Sequence, residues 1–160
     1  ATSAHLSLLR DALGDRELGV LPPAFIEGGR RWWVAELADE TAIRGWQPDH
    51  AAIGALAHAS DSLGLCVFAR SADPAHDLVV RAFPAGVGIV EDPASGAANG
   101  LIAAWIAQRE PEGRLASGYR VSQGREMGHD AEIVVRIESA TDIRVGGRSR
   151  TVVNGSVDWS

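Results

Sequence analysis

The sequence lacks lysine altogether, and all of its basic charge comes from 15 arginines. Acidic residues outnumber them, so the formal net charge is -6 at pH 7. The arginines are scattered along the chain, with Arg30-Arg31 as the longest run. Because nucleic acids and anionic membranes are bound through a basic face, this distribution argues against both classes of partner. We therefore expect a small, soluble substrate or ligand.

Cysteine is almost as scarce, since Cys66 is the only one and no disulfide can form within the chain. It lies in the apolar run 65–68, which predicts a buried packing role rather than a reactive thiol. No apolar stretch has the length of a membrane-spanning helix, and residues 1–10 show no signal-like pattern. Together these absences make the cytoplasm the expected compartment.

Metal and nucleotide signatures are missing as well. Gly86 and Gly88 open no helix directly, so they make no dinucleotide fingerprint, and we expect no cofactor. The histidines lack the spacing of a metal site, and we expect no metal. They are His5, His50, His58, His76 and His129. The tryptophans are spread over several predicted elements, which indicates packing rather than a platform for stacking bases. They are Trp32, Trp33, Trp46, Trp105 and Trp159.

Apolar spacing and turn residues predict a mixture of helices and short strands. Helices are predicted over 4–13 and 48–58, and strands over 31–37, 65–69, 78–83, 119–122, 132–139, 142–145 and 150–157. No linker or internal repeat divides the chain, and its apolar content suffices for one core. We therefore expect a single domain, 1–160, of the α+β class with antiparallel or mixed strand pairing.

The segment richest in chemical information begins Glu91-Asp92-Pro93-Ala94-Ser95-Gly96-Ala97-Ala98 and continues as an apolar run to residue 107. Between 97 and 107 only Asn99 is strongly polar, so the predicted helix is apolar all round. Such a helix is expected to be buried on every side.

The start of this helix is a candidate anion site. Its first amides lack partners within the helix, and small side chains surround them, so a carboxylate or phosphate can approach the backbone closely. Asp92 lies just before the turn and is a candidate for proton transfer or amine binding. The alternative is that Asp92 or Ser95 simply caps the helix.

The segment 91–98 resembles the Glu-Asp-Pro-Ala-Thr-Gly-Ser-Ala motif of the phenazine-biosynthesis (PhzF-like) isomerase family. Upstream, Arg81-Ala82-Phe83 resembles the family's Arg-x-Phe approach. Downstream, Val121-Ser122-Gln123-Gly124-Arg125-Glu126-Met127-Gly128 resembles its Val-x-Gln-Gly-x-x-Met-Gly segment. Val145-Gly146-Gly147 and a closing strand ending near Gly155 resemble its tail. The agreement runs from about Glu27 to Trp159 in the family's order.

The resemblance implies a diaminopimelate epimerase-like fold, in which a curved, barrel-like, mostly antiparallel or mixed sheet wraps round a central buried helix. The family has two such domains with the active site between them. This chain is similar to the carboxyl-terminal domain, and the amino-terminal domain with its acid/base Glu has no counterpart in it.

The implied activity is cofactor-independent proton transfer on a small amino or hydroxy carboxylic acid, as in an isomerase or epimerase. Asp92 would be catalytic, and the substrate would be bound by Glu91, Ser95, Gly96 and Ala97. The chain alone would be inactive, and its partner would be the missing amino-terminal domain or a separate chain. Because half an enzyme exposes apolar surface, self-association as a homodimer is also expected.

The chain departs from the family pattern in three places. Ala97 stands where the family usually has Ser, which removes a hydroxyl but keeps the backbone amide. Ser95 replaces Thr, and Gly128-His129-Asp130 replaces a common Gly-Arg-Pro. The alternative function is therefore a non-catalytic module that binds small anions or another protein, and a further alternative is a fragment whose function belongs to a longer parent.

Overall fold

A computed structural model describes residues 2–139 and 141–158. Four α-helices lie within them: α1 (Ser3–Leu13), α2 (Glu40–Arg44), α3 (His50–Ala59) and α4 (Gly96–Arg109). The strands are β1 (Ala24–Gly28), β2 (Arg30–Glu36), β3 (Gly64–Arg70), β4 (Leu78–Phe83), β5 (Gly118–Gln123), β6 (Ala131–Ser139) and β7 (Asp142–Gly147). Short 3-10 turns cover Ala85–Val87 and Arg125–Met127.

All seven strands form one sheet in the order of the sequence, from β1 at one edge to β7 at the other. The pairs β2–β3 and β4–β5 are parallel, and the remaining neighbours are antiparallel. Helix α4 contacts strands from both edges, namely β1, β2, β6 and β7. A sheet whose two edges touch the same helix must curl around it, so the predicted curved, mixed sheet around a central helix is confirmed.

Alternating side chains of the strands fill two apolar cores, one on each face of the sheet. Trp32 points to the inner core with α4, whereas Trp33 points to the outer core with α1 and α3. Four tryptophans are buried as predicted, and Trp159 lies outside the described residues. Cys66 is fully buried in the inner core, where its Sγ donates to the carbonyl of Trp33 at 3.4 Å and burial raises its pKa. The predicted packing role of Cys66 is confirmed.

Helix α4 is less enclosed than its sequence predicts. Ile102 and Ile106 are fully buried against the sheet, but Ala97 is exposed and Gly100 and Ala104 are half-buried. These three residues share one face of the helix, which is left open between β1 and β7. The expectation of burial on every side is therefore wrong, because an apolar face made only of small residues can remain uncovered at low cost.

The largest error of the sequence-based assignment is the closing strand over 150–157. Residues 148–158 form no regular structure and are exposed, including Val152, Val153 and Val157. Their β-branched side chains favour a strand, but no neighbouring strand supplies hydrogen bonds within the described residues. The prediction also missed β1 and the five-residue helix α2. Among the described residues, no helix is long and apolar enough to cross a bilayer.

Candidate functional site

The turn that carries Asp92 connects β4 to α4. The Asp92 amide donates to the carbonyl of Ala82 in β4 at 2.9 Å, and the two residues form an isolated antiparallel bridge. The Asp92 carboxylate accepts the amide of Ala94 at 3.0 Å and closes a local side-chain turn. Asp92 is half-buried, so the backbone of the residue is fixed while part of its surface remains accessible.

Helix α4 begins with a capped but incompletely satisfied first turn. Ser95 is the N-cap, and its hydroxyl accepts the amide of Ala98 at 3.3 Å. The capping role weighed for Ser95 is thus observed. The amides of Gly96 and Ala97 have no hydrogen-bond partner among residues 2–139 and 141–158, and both residues are exposed. Two donors at the positive end of a 14-residue helix are available to a ligand.

The carboxylate of Glu91 is engaged by Arg81. Both of its oxygens accept from the guanidinium at 2.9 Å, and the two side chains are only 9% and 5% exposed. Arg81 also donates to the carbonyl of Ile43 in α2 and to that of Trp46 in the loop between α2 and α3. Glu91 therefore connects the start of the turn to the outer core, and both of its carboxylate oxygens accept a hydrogen bond.

Gln123 and Asn99 lie beneath the turn and are both fully buried. Gln123 donates to the Asp92 carbonyl at 2.7 Å and accepts the Ser95 amide at 3.3 Å. The Asn99 side chain donates to the Ser95 carbonyl at 2.8 Å and to Gln123 at 2.9 Å. The end of β5 and the first turn of α4 thus hold the turn from below.

Two clefts flank the start of α4. One, of about 710 Å³, is lined by Ala94 and Gly96 together with the ends of β5, β6 and β7. The other, of about 480 Å³, runs over the open face of α4 between β1 and β7 and is lined by Gly96, Ala97 and Gly100. Gly96 borders both clefts.

Charged groups of both signs surround the larger cleft. Arg125 pairs with Asp130 at 2.7 Å, and Arg148 pairs with Glu132 at 2.6 Å. The hydrogen bond from Arg125 lowers the pKa of Asp130, and the same bond raises the pKa of Arg125. Arg120 also lines this cleft. The cleft therefore presents cations near the helix start, although two of them are already paired.

A partly buried polar network supports the wall of the same cleft. Arg44 joins Glu40 at 2.6 Å, Glu126 at 2.9 Å and the hydroxyl of Ser122 at 3.0 Å. His76, which lines the cleft, contacts Glu40 at 3.2 Å. Desolvation would raise the pKa of Glu40, but hydrogen bonds from Ser71, Arg44 and His76 outweigh it and lower that pKa to about 2. Glu40 is thus ionised across the physiological range.

The five predicted site residues are close in sequence but differ in placement. Gly96 lines both clefts and Ala97 lines the smaller one, whereas Glu91, Asp92 and Ser95 line neither. Ser95 caps the helix, and Glu91 is held in its ion pair. Within the described ranges, no group of three or more His, Cys, Asp or Glu side chains is placed to hold a metal ion.

Sequence reasoning missed two groups of residues around the site. Gln123 stands in a segment whose family resemblance was recognised, but its side chain was given no role. Asn99 was noted only as the one polar residue of the helix. That isolation is the available signal, since a fully buried amide requires hydrogen-bond partners. The sequence does not indicate that His76 and Arg125 line the same cleft, because the strands that bring them together are distant in sequence.

Comparison with protein families gives one match over nearly the whole chain. The model of the PhzC-PhzF family, described as phenazine biosynthesis-like proteins, matches residues 1–155. Two curated proteins of Schizosaccharomyces pombe are also similar. Antisense-enhancing sequence 1 is 25% identical over 85% of this chain and 46% of its own length. An uncharacterized isomerase is 26% identical over 85% of this chain and 76% of its own length.

Solved structures agree on the fold. A PhzF-family phenazine biosynthesis protein of Bacillus anthracis superposes with a TM-score of 0.62 at 19% identity, covering 81% of this chain and 46% of that one. A predicted epimerase of Pseudomonas aeruginosa gives 0.64 at 18% identity, covering 96% of this chain and 54% of that one. This chain thus spans about half the length of both solved proteins and of the first yeast relative.

Proposed function

Because this chain belongs to the phenazine biosynthesis-like PhzC-PhzF family, whose model matches residues 1–155, we propose that it forms the carboxylate-binding half of an isomerase or epimerase active site. The substrate is a small amino or hydroxy carboxylic acid. A second half, corresponding to the length by which the first relatives exceed this chain, supplies the main acid/base carboxylate. The reaction uses neither a metal nor a cofactor.

The observation that carries this proposal is the pair of unpartnered amides at Gly96 and Ala97. They stand at the start of a long helix that packs against a sheet, so the partial positive charge of the helix terminus is directed at the clefts. A carboxylate there accepts both amides, and the small side chains of Gly96 and Ala97 leave it room. Holding the substrate by its carboxylate fixes its reacting carbon relative to the acid/base groups.

The chemistry on the held substrate is a proton transfer. The main acid/base group takes a proton from a carbon beside an electron-withdrawing group, and the remaining electron pair spreads into that group. Return of a proton to another carbon or to the opposite face completes the reaction without a net change in atoms or electrons. Asp92 orients the amino or hydroxyl group of the substrate or exchanges a proton with it. Its backbone is held by Ala82 and Gln123.

A second candidate function is favoured by Ala97. The family usually has Ser at this position, so one hydroxyl contact to the substrate is absent here while the amide remains. A protein that binds small carboxylates without turning them over would tolerate that loss. This candidate keeps the same anion site and differs only in lacking the proton transfer.

Binding is tested on the 160-residue chain by nuclear magnetic resonance. Sodium benzoate is titrated into ¹⁵N-labelled protein at constant ionic strength, with sodium chloride as the matched control. We expect saturable shifts of the Gly96 and Ala97 amides with benzoate and none with chloride. Absence of a benzoate response at both amides would refute the carboxylate site.

Turnover is tested on the complete natural protein, whose intact mass first establishes whether it carries a second half. Incubation with small amino and hydroxy acids in D₂O should place deuterium on a substrate carbon, detected by mass spectrometry. Asp92→Asn should lower the rate at least about 100-fold, as expected for loss of a group that transfers or positions a proton. Asp11→Asn, at an exposed position of α1, is the matched control. Wild-type rates in Asp92→Asn would refute the role of Asp92, and benzoate binding without any exchange would favour the second candidate.

A further inference from the structure

The turn between Asp92 and Ser95 is held by a side chain from a different part of the fold. Gln123 is the last residue of β5, and its amide group is fully buried. Its nitrogen donates to the Asp92 carbonyl at 2.7 Å, and its oxygen accepts the Ser95 amide at 3.3 Å. One side chain thus bonds to both ends of the four-residue segment that precedes α4.

We propose that Gln123, together with Gly124, is the positioning element that sets Asp92 relative to the Gly96 and Ala97 amides. This inference rests on the carboxylate-binding function proposed above. Gln123 is fully buried and lines neither cleft, so the role that we propose for it is positioning. A side-chain amide suits this place because it has a donor and an acceptor at its two ends, as the Asp92 carbonyl and the Ser95 amide require.

Asn99 extends the same support into the helix. Its nitrogen donates to Gln123 at 2.9 Å and to the Ser95 carbonyl at 2.8 Å. The oxygen of Gln123 therefore receives two donors, one from the turn and one from the first helical turn. Because buried amides without partners are costly, any shift of the turn away from β5 would leave several groups unsatisfied at once.

Gly124 is the second part of the positioning element, because it has no side chain to separate the backbone from the turn. Its φ of +91° belongs to the left-handed region that favours glycine, and a Cβ added there would lie 2.7 Å from the carbonyl oxygen of Pro93. The backbone after β5 thus packs directly against the turn. Gly128, in the same loop, has a φ of +77° but nothing within 4 Å of an added Cβ. The two glycines differ in their contact with the turn while sharing the positive φ.

This contrast provides a matched pair of variants. Gly124→Ala should displace Pro93 and with it the Asp92–Ser95 turn, whereas Gly128→Ala carries a similar backbone strain without that contact. Gln123→Met keeps the length of the side chain and removes both hydrogen-bonding ends. We expect the affinity for benzoate, measured at the Gly96 and Ala97 amides, to fall about tenfold or more in Gly124→Ala and Gln123→Met. Gly128→Ala should bind benzoate as the wild type does.

A purely structural role for these residues predicts a different result. Folding would weaken, but the protein that remains folded would bind benzoate with unchanged affinity, because the dissociation constant is read from resonances of folded molecules. Wild-type affinity in folded Gly124→Ala would therefore overturn the proposal, even if Gln123→Met failed to fold. Equal losses in Gly124→Ala and Gly128→Ala would also overturn it, since backbone strain alone would then explain both.

Amide hydrogen exchange separates failure of this inference from failure of the proposed function. If the wild type does not respond to benzoate, the carboxylate site is refuted and so is a positioning role toward it. The hydrogen bond from Ser95 to Gln123 is still tested by exchange of the Ser95 amide, which should be faster in Gln123→Met than in Gly128→Ala. A wild type that binds benzoate, combined with unchanged Ser95 exchange and affinity in Gln123→Met, would refute only the inference about Gln123.

Discussion

Replacing Glu91 by Gln distinguishes a structural role of this residue from a direct role in binding substrate. The variant keeps the size of the side chain but leaves the charge of Arg81 without its counter-ion. The Arg81 side chain is only 5% exposed, so water cannot fully replace the lost carboxylate. Removal of one partner from such a buried pair typically costs about 3–5 kcal/mol of folding free energy.

The lower end of that range applies here. Arg81 retains its bonds to the carbonyls of Ile43 and Trp46, and its guanidinium lies 5.2 Å from the centre of the Phe83 ring. These contacts continue to stabilise the cation. We therefore expect Glu91→Gln to lose about 3 kcal/mol, which lowers the urea midpoint by about 1.5 M for an m-value of about 2 kcal/mol/M.

Equilibrium unfolding in urea, followed by tryptophan fluorescence, measures the change. Glu112→Gln serves as the control, because Glu112 is exposed and should shift stability by less than about 0.5 kcal/mol. Benzoate titration of folded Glu91→Gln completes the assay and should give wild-type affinity. A stability loss below about 1 kcal/mol combined with a large loss of affinity would refute the structural reasoning and support Glu91 as a substrate ligand.

Two further predictions concern stability. The pKa of Glu40 lies at about 2 in the folded protein against an ordinary 4.5, so its stabilising contribution is complete above pH 4.5 and is lost as the pH falls toward 2. In the wild type, this loss of folding free energy amounts to up to about 3 kcal/mol, and Glu40→Gln should remove it. Urea unfolding at several pH values across that range measures the difference. If Glu40→Gln showed the same dependence of stability on pH as the wild type, the lowered pKa would be contradicted. Ile102→Ala empties a fully buried position on α4 and should cost about 3 kcal/mol. Leu6→Ala, at a side chain that is 51% exposed, should cost less than about 0.5 kcal/mol, and equal effects of the two changes would contradict the inner core described here.

Much of the fold could be predicted because its determinants are local. The short apolar runs of β3 and β4 and the longer apolar run of α4 each indicate the correct element from neighbouring residues alone. Residues 150–157 show the limit of that approach, since a strand needs a partner that its own sequence does not contain. Helix α2 was missed because five residues are too few for a periodic pattern.

In the candidate site, too, the locally determined features could be predicted and the contacts between distant residues could not. The helix start at Gly96 and Ala97 was predictable, since small residues before an apolar helix determine where unpartnered amides lie. The ion pair of Glu91 with Arg81 joins residues only ten positions apart, yet it depends on the burial of both side chains. Gln123 lies 31 positions from the Asp92 carbonyl that it binds. The two residues meet because β5 pairs with β4 and Asp92 bridges to Ala82 in the same strand.

The distribution of buried polar groups indicates where the protein requires precise geometry. Asn99 and Gln123 are fully buried at cost, and both direct hydrogen bonds to the turn before α4. Capping the helix does not require these buried amides, because the Ser95 hydroxyl alone caps it. In our proposal, the additional support sets the direction of the Gly96 and Ala97 amides, which make no bond within the described residues and are available to a ligand. The buried side chains that hold this turn therefore support the ligand site that we propose at Gly96 and Ala97.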